Sequence, residues 1–276
     1  MSTVVSRKEK AEGSGLSLAG VVNISKKTIH KTGAIAIFLV LWELAVNFAW
    51  VNPIIIPRPT VILSKGLDLI ASGELPNNIL ISLVRVALGF GLAMAIALPL
   101  GFMLGGWFKW FEDAINPLLQ VLGQANPFTL LPVFIVLLGL GEESKIAIIL
   151  WVCVWPALFN TVTGIRNVDP TLVKMARSVG LGKLEMFYKV LLPASLPTVF
   201  TGIRMSAVFA FFMLIGAEMI GARSGLGFMI IQAQAVFNMP KMFVGIVTVA
   251  ILGILISYLL TYVERRISAR KEEIAI

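Results

Sequence analysis

The residues that usually carry out catalysis or bind metal ions are few and scattered in this sequence. Its 276 residues contain one cysteine, Cys153, and one histidine, His30. We therefore expect no disulfide within the chain and no metal site built on thiolates or imidazoles. The G-x-x-x-x-G-K-[ST] phosphate-binding loop is also missing, because Gly182-Lys183 is followed by leucine and no glycine-rich segment precedes it. We expect a chain without catalytic residues and without a cofactor of its own.

Composition indicates the environment in which the remaining polar residues lie. The chain is 58% hydrophobic and 14% charged, whereas soluble domains are about 45–50% apolar and about 25% charged. Several apolar runs reach the roughly 20 residues that a helix needs to cross a bilayer. Within lipid the backbone polar groups must be satisfied inside each run, so these runs are helices. The sequence therefore predicts an all-α, polytopic membrane protein.

The apolar runs predict six membrane-spanning helices within residues 33–264. An N-terminal tail, residues 1–32, precedes them, and a C-terminal tail, residues 265–276, follows them. We expect the third span to be broken by its prolines, Pro127 and Pro132. A short amphipathic stretch, Val61–Ala71, is predicted to lie as a helix along the outer membrane surface. The predicted spans are Gly33–Val51, Asn78–Leu104, Ile115–Leu138, Lys145–Ile165, Pro197–Ile220 and Phe243–Val263.

The distribution of positive charge predicts the orientation. With the N-terminus inside, sixteen of the 23 Lys and Arg residues fall in inner segments and five in outer ones, while Arg85 and Arg204 lie within spans. Inner loops of membrane proteins carry such an excess of Lys and Arg. We expect both termini in the cytoplasm, and the net charge of +8 requires no nucleic acid to explain it.

The cytoplasmic segment 167–193, between the fourth and fifth spans, is too long to be a simple connection. Asp169-Pro170 is typical of a helix start, with Asp as the cap and Pro at the first helical position. Gly180 is expected to end that helix. A second short helix, Lys183–Val190, is predicted to follow. The apolar residues at helical spacing in the two helices are Leu172, Met175, Ala176, Val179, Leu184, Phe187 and Tyr188.

Two interpretations of this segment remain open on the residues alone. A rigid pair of helices that a soluble partner grips would transmit the partner's motion to the spans on either side. Alternatively, the segment folds on the membrane surface without a partner. Pro193 and Pro197 are expected to flank the start of the fifth span in either case.

The segment resembles the EAA loop of the permeases of bacterial and archaeal ABC importers. That loop has the pattern E-A-A, three residues, G, nine residues, I, one residue, L-P, and every spacing matches here. Lys174 and Met175 depart from the Glu and Ala of the pattern, and Val190 replaces its Ile. The resemblance assigns ATPase coupling to Asp169, Lys174, Met175, Ala176, Gly180, Leu184, Phe187, Leu192 and Pro193.

The resemblance extends over nearly all of the chain after Gly33. Further segments are similar to the subgroup of permeases for nitrate, sulfonates, taurine and bicarbonate. These segments are Ser82-Leu-Val-Arg85 with Gly89-Phe-Gly91, Asn126-Pro127 with Leu131-Pro132, Phe159-Asn-Thr161 with Gly164, Gly202-Ile-Arg204, and Ala217-Glu-Met219 with Gly225-Leu-Gly227.

The resemblance implies a permease subunit with the type I ABC importer fold in the inner membrane. Two permease subunits, expected to be identical, form the pathway. A dimer of separate ATPase subunits holds ATP and Mg²⁺ and grips the loops, and an extracytoplasmic binding protein delivers the substrate. The expected substrate is a small anion such as nitrate, a sulfonate, taurine or bicarbonate; an aromatic vitamin precursor is the alternative.

Polar and aromatic residues within the spans are candidates for the pathway wall. Broken helices in membranes normally line cavities, because their freed backbone groups need partners. Two roles are open for Glu218. It could serve as an outer gate or as a contact for the binding protein, or it could form a structural hydrogen bond to a neighbouring helix. For the other residues ordinary helix packing is the alternative. The candidates are Gln124, Asn126, Thr129, Trp155, Asn160, Phe211 and Glu218.

Two other ionisable span residues have simpler expected roles. Arg204 is expected to reach the cytoplasmic interface with its long side chain, and Glu43 to contact the outer surface helix. Two other classes of protein are alternatives to an ABC importer permease. A channel or secondary transporter acting alone would show repeated halves or carboxylate relays, and a membrane enzyme would need clustered His, Asp or Glu.

Overall fold

The structure is a computed structural model that describes residues 33–34 and 36–272. The predicted N-terminal tail, 1–32, and the last four residues lie outside this part of the chain. Within the described residues every regular element is a helix. The helices are α1 (Ala36–Asn47), α2 (Pro59–Ala71), α3 (Glu74–Gly106), α4 (Lys109–Gly123), α5 (Pro127–Leu138), α6 (Glu142–Arg166), α7 (Pro170–Ser178), α8 (Lys183–Met186), α9 (Leu192–Gly221), α10 (Leu226–Ala235) and α11 (Met239–Glu272).

The long helices confirm a multi-pass membrane architecture. Four helical stretches of the described residues are long and apolar enough to cross a bilayer: α3, α6, the stretch Lys183–Gly221 that contains α9, and α11. The bent pair α4–α5 makes a fifth if it is counted as one span. The predicted first span corresponds to α1, which is too short to meet the same criterion. Long helices alone therefore give four or five spans rather than the predicted six.

The third span is broken more sharply than its prolines predict. Helices α4 and α5 meet at an angle of 89°. Residues 124–126 form the break, and Asn126 caps α5 by accepting a hydrogen bond from the Phe128 N–H at 3.0 Å. Pro127 occupies the first turn of α5, where its missing N–H costs nothing, and Pro132 lies inside the helix. The break is therefore a capped junction between two helices at Pro127, and the prediction of a second break at Pro132 is wrong.

Helix α6 lies between α3 and α9 and forms the centre of the fold. Glycines allow its backbone to come close to both neighbours, as is common between membrane helices. A β-carbon on Gly101 of α3 would lie 2.7 Å from Cβ of Thr161, and one on Gly202 of α9 would lie 2.6 Å from Cβ of Asn160. Cys153 is fully buried at the middle of this contact, and its thiol donates to the Ser206 carbonyl.

The predicted second loop helix and the fifth span form one continuous helix, which corrects the prediction that Pro193 and Pro197 flank a separate start. Helix α8 passes through a π-helical turn, Phe187–Leu191, directly into α9. The Leu192 N–H reaches back five residues to the Phe187 carbonyl. Pro193 and Pro197 both lie within the first two turns of α9. The wider π turn fits this position, since a proline ring crowds the carbonyl four residues earlier.

The described residues up to Val61 form one compact unit, and the described residues from Ile62 onward form another. Within the first unit the Glu43 carboxylate accepts hydrogen bonds from the hydroxyl and backbone N–H of Thr60, at 3.0 and 3.3 Å. Thr60 belongs to the first turn of α2. The expected contact of Glu43 with this helix is therefore present.

We predict that Gly202→Ala loosens the core. The new methyl group would lie 2.6 Å from Cβ of Asn160 and 2.9 Å from the Pro156 carbonyl oxygen, so α6 and α9 must separate. Overpacking of this kind costs about 1–3 kcal/mol. The midpoint of thermal unfolding of the detergent-solubilised protein should fall, as measured by size-exclusion chromatography after heating. Gly91→Ala is the matched control, because no atom lies within 4 Å of its new methyl group; equal midpoints for the two variants would contradict the packing account.

Candidate functional site

The loop between α6 and α9 begins with a capped helix. The Asp169 carboxylate accepts a hydrogen bond from the Thr171 N–H at 2.7 Å, and Pro170 occupies the first helical position. This backbone hydrogen bond, together with one from the Thr171 side chain, lowers the pKa of the Asp169 carboxyl below its usual value. The predicted start of this helix is thus present, and the interaction is retained at neutral pH because Asp169 is ionised there.

Gly180 ends α7 in a Schellman motif. Its φ of +81° is the left-handed conformation that glycine adopts without strain. The Gly180 N–H donates to the Arg177 carbonyl at 3.0 Å, and the Leu181 N–H donates to the Ala176 carbonyl at 3.2 Å. These are the two bonds that define the motif. The turn therefore fixes the angle at which the chain leaves α7 for α8.

Phe187 fastens the loop to the end of α3. The sequence places Phe187 among the residues that the second helix presents to a partner, but its side chain is buried. Its ring packs at 4.6 Å from Trp107 and edge-on at 5.6 Å from Phe102, measured between ring centres. Phe187 therefore anchors the loop to the spans and is not part of the exposed surface. The neighbouring Leu184 is exposed as predicted.

The loop also presents apolar side chains that nothing in the described chain covers. Met175 is 54% exposed and Val179 is 81% exposed. Ala176, which lies between Met175 and Val179 in the sequence, is buried. Lys174, on the adjacent face, is exposed. Such a surface of large apolar residues rimmed by charge is typical of a contact site for a protein or a membrane.

The remaining two coupling candidates lie where the loop becomes a spanning helix. Leu192 is the first residue of α9 and Pro193 the second. Because α9 follows the π turn without interruption, Leu192 and Pro193 connect the loop rigidly to the span.

At the opposite end of the spans, Glu218 lies in a buried network of charged and polar groups. Its side chain is fully buried, and the Arg85 guanidinium contacts it at 2.6 Å. The Ser82 hydroxyl donates to the same carboxylate at 2.8 Å. Arg85 also forms a bidentate ion pair with Glu142 at the start of α6. The structural hydrogen bond to a neighbouring helix, one of the two roles left open, is therefore present, and a gating or docking role for Glu218 stays a prediction.

The network also fixes the segment between α9 and α10. The Gly227 N–H donates to Glu218 at 2.8 Å, and the Ser224 carbonyl accepts from Arg85 at 2.7 Å. A β-carbon on Gly225 would lie 2.3 Å from the Glu218 carboxylate. Sequence reasoning missed Glu142 as a partner and missed α10 altogether. The only available signal was the glycine pair Gly225 and Gly227, which marks close backbone approach.

Two further arginines form ion pairs near the loop end of the spans. Arg166, the last residue of α6, pairs with Glu112 and Asp113 of α4, the latter at 2.6 Å. Arg204 in α9 pairs with Glu264 in α11. Sequence reasoning anticipated only that Arg204 reaches an interface, because the partner lies sixty residues away along the chain.

The structure brings some of the pathway candidates together and leaves others on the surface. Gln124, Asn126 and Thr129 are exposed around the break between α4 and α5. Trp155 lies half-buried beside this break, where a β-carbon on Gly123 would be 3.5 Å from its ring. These four residues therefore lie at or beside the break, and their pathway role remains a prediction.

The other two pathway candidates are engaged in packing. Asn160 is half-buried in α6, and its amide donates to the Pro156 carbonyl at 2.8 Å. Phe211 is buried in the core between α6 and α9. The neighbouring Phe212 is 64% exposed and packs edge-on against Phe128 of α5. The pathway role of Asn160 and Phe211 also remains a prediction.

The comparison with protein families agrees with this arrangement of spans and loop. Residues 97–269 match the family described as the inner membrane component of binding-protein-dependent transport systems. The chain belongs to this family, and it is a multi-pass permease of a binding-protein-dependent ABC importer. This assignment replaces the two alternatives, a channel or secondary transporter acting alone and a membrane enzyme.

Curated relatives and a solved structure support the family and the fold. The chain is 35% identical to the aliphatic sulfonates transport permease SsuC of Bacillus subtilis, over 84% of each chain. It is 30% identical to the nitrate import permease NrtB of Synechocystis, over 87% of this chain and 89% of that protein. An inward-facing structure of the MetNI methionine ABC transporter superposes with a TM-score of 0.60 at 18% identity, covering 67% of this chain and 92% of that one. The expected type I importer permease fold is confirmed.

We predict that Glu218→Gln destabilises the protein by about 3 kcal/mol, because it leaves the buried Arg85 charge with one partner fewer. The thermal unfolding midpoint in detergent measures the effect. Glu143→Gln is the control, since Glu143 is exposed and forms no ion pair with any described residue. An unchanged midpoint combined with lost substrate uptake would instead favour the gate or docking role.

Proposed function

We propose that this permease is driven by a separate ATPase dimer that grips segment 167–193, which we name the coupling loop. The observation that carries the proposal is the rigid connection of this loop to two spans. Arg166 ends α6 directly before the loop, and α8 runs into α9 without a break. Displacement of the loop therefore moves the ends of both α6 and α9.

The surface of the coupling loop supports this partner. Exposed Met175, Val179 and Leu184 supply apolar contact area, and the capped helix α7 holds the first two in a fixed arrangement. A pre-ordered surface loses little conformational entropy on binding. Type I importers switch between packings that open to either side. ATP and Mg²⁺ are bound by the partner, whose closure supplies the free energy, and the permease converts that closure into a change of access.

The remaining partners and the orientation follow from the same family assignment and from the charge distribution. We propose a homodimer of permeases in the cell inner membrane, with the termini and coupling loop in the cytoplasm. An extracytoplasmic binding protein delivers the substrate to the opposite face, where the buried Arg85–Glu218 network lies. The excess of Lys and Arg in the predicted inner segments supports this orientation.

We propose a small anion, such as nitrate, a sulfonate, taurine or bicarbonate, as the substrate, with an aromatic vitamin precursor as the alternative. The names of the relatives SsuC and NrtB favour the anion. Beside the broken span, the buried indole N–H groups of Trp151 and Trp155 have no acceptor among the described residues, and neutral N–H donors of this kind bind oxyanions. Calorimetric titration of the partner binding protein with sulfonates, nitrate and a thiamine-precursor pyrimidine tests the substrate class; binding of the pyrimidine alone would overturn the anion assignment.

We predict that Gly180→Ala impairs coupling. An alanine in the left-handed conformation costs about 1–2 kcal/mol, which shifts the equilibrium against the intact turn by about 5- to 30-fold. Gly180→Pro should act more strongly, because proline cannot adopt φ +81° and lacks the N–H that donates to Arg177. Substrate uptake into vesicles and ATP hydrolysis by the same assembled complex measure the coupling; uptake per ATP should fall.

Gly182→Ala is the matched control in the same loop. Gly182 has a φ of −66° and no atom within 4 Å of an added methyl group, so alanine fits without strain. Its uptake should remain at the level of the unmodified complex. Full uptake in the two Gly180 variants would remove the coupling role of this turn.

A further inference from the structure

A concave cavity of about 550 Å³ lies between the coupling loop and the ends of the spans. Its wall is formed by the ends of α3 and α6, by α7 and by the segment from α8 to the π turn. Arg166, Lys174, Arg177 and Lys183 line it, and in the described part of the chain no carboxylate side chain does so. We name this space the basic cavity.

Three of the four cationic side chains in the basic cavity form no ion pair with a described residue. Arg166 is paired with Glu112 and Asp113 outside the wall. For Lys174, Arg177 and Lys183, by contrast, no Asp or Glu within the described ranges lies at ion-pair distance. Three unpaired cations around one concave space repel each other. Their mutual repulsion is relieved when an anion enters.

Aromatic residues place the basic cavity at the boundary between membrane and water. Trp107 and Phe187 form part of its wall, with ring centres 4.6 Å apart. Trp107 directly follows the spanning helix α3, and the nearby Phe108 and Trp110 are 52% and 84% exposed. Trp and Tyr side chains gather at the headgroup level of the bilayer. An anion in the cavity would therefore sit at the depth of lipid phosphates.

We propose that the basic cavity binds a phosphate-bearing anion, and that in the membrane this is the headgroup of an anionic phospholipid. Arginine binds phosphate through paired N–H donors and lysine binds it as a point charge. Basic pockets between membrane helices on the cytoplasmic side take such headgroups. The proposal rests on the cytoplasmic position of the coupling loop given under the proposed function.

The concave shape favours a headgroup over an acidic protein surface. The cavity lies between the loop and the spans, whereas the apolar side chains available to a protein partner, Met175 and Val179, belong to a separate open groove on the loop. A bound phosphate would contact Lys174 and Arg177 on α7 and Lys183 on α8 together. It would thereby tie both loop helices to the ends of α3 and α6.

Native mass spectrometry of the full-length permease in detergent tests this proposal without requiring the ATPase. The affinities for phosphatidylglycerol and for phosphatidylcholine are measured on the unmodified chain and on Lys174→Gln, Arg177→Gln and Lys183→Gln. Each removed cation should weaken phosphatidylglycerol binding about fivefold. Lys189→Gln is the matched control, because Lys189 is an exposed cation of the same loop that pairs with Glu185 and does not line the cavity. Its affinity should not change.

Competition by inorganic phosphate separates the two sources of the anion. Phosphatidylglycerol binding that depends on the three cations and resists millimolar phosphate supports the lipid headgroup. Cation-dependent binding of phosphate that displaces the lipid supports the same phosphate chemistry from a soluble source. Equal phosphatidylglycerol affinity in the cavity variants and in Lys189→Gln overturns the proposal. So does unchanged lipid binding by the cavity variants when, in a separate purification of the assembled complex, the same variants lose the ATPase, which would make the cavity a protein contact.

Discussion

The close packing of α6 between α3 and α9 is the constraint on which the rest of this structure depends. In a bilayer, lipid is as apolar as the helix surface, so helices associate through tight van der Waals contact rather than through the hydrophobic effect. Gly101 and Gly202 provide that contact, because each lies where a β-carbon would overlap the backbone or first side-chain atoms of α6. The three helices therefore move as one packed unit or shift to another discrete packing.

The coupling loop is attached to this packed set of helices. It joins the end of α6 to the start of α9, so its two attachments belong to helices that already contact each other. Phe187 adds a third attachment by packing on Trp107 at the end of α3. At the other end of the spans, Arg85 and Glu218 link α3 to α9 in a buried ion pair. In the proposed mechanism, a force on the loop would thus be applied to a bundle that is held at both ends.

The helices and the loop could be predicted from sequence because their signals are local. Apolar runs define the spans, Asp169-Pro170 starts α7, and Gly180 ends it. The parts that could not be predicted depend on distant contacts. Arg85 and Glu218 are separated by 133 residues, and nothing in the sequence around either residue indicates that the two form a pair. Phe187 has the same pattern as an exposed apolar residue, since only the position of Trp107 decides that it is buried. The 89° bend after α4 also needs the tertiary structure, because Pro127 predicts a break but not its angle.

In the proposed mechanism, the coupling loop moves when the partner ATPase binds ATP. Lys189 of the coupling loop is 61% exposed and the single native cysteine, Cys153, is fully buried, so a spin label on Lys189→Cys reports the loop without removal of Cys153 and leaves the apolar contact surface unchanged. The distance between the labels of the two permease copies is measured by pulsed electron paramagnetic resonance in the membrane-embedded complex, with and without ATP. The account predicts that the distance shortens when ATP binds. An unchanged distance in a complex that still hydrolyses ATP and takes up substrate would contradict it.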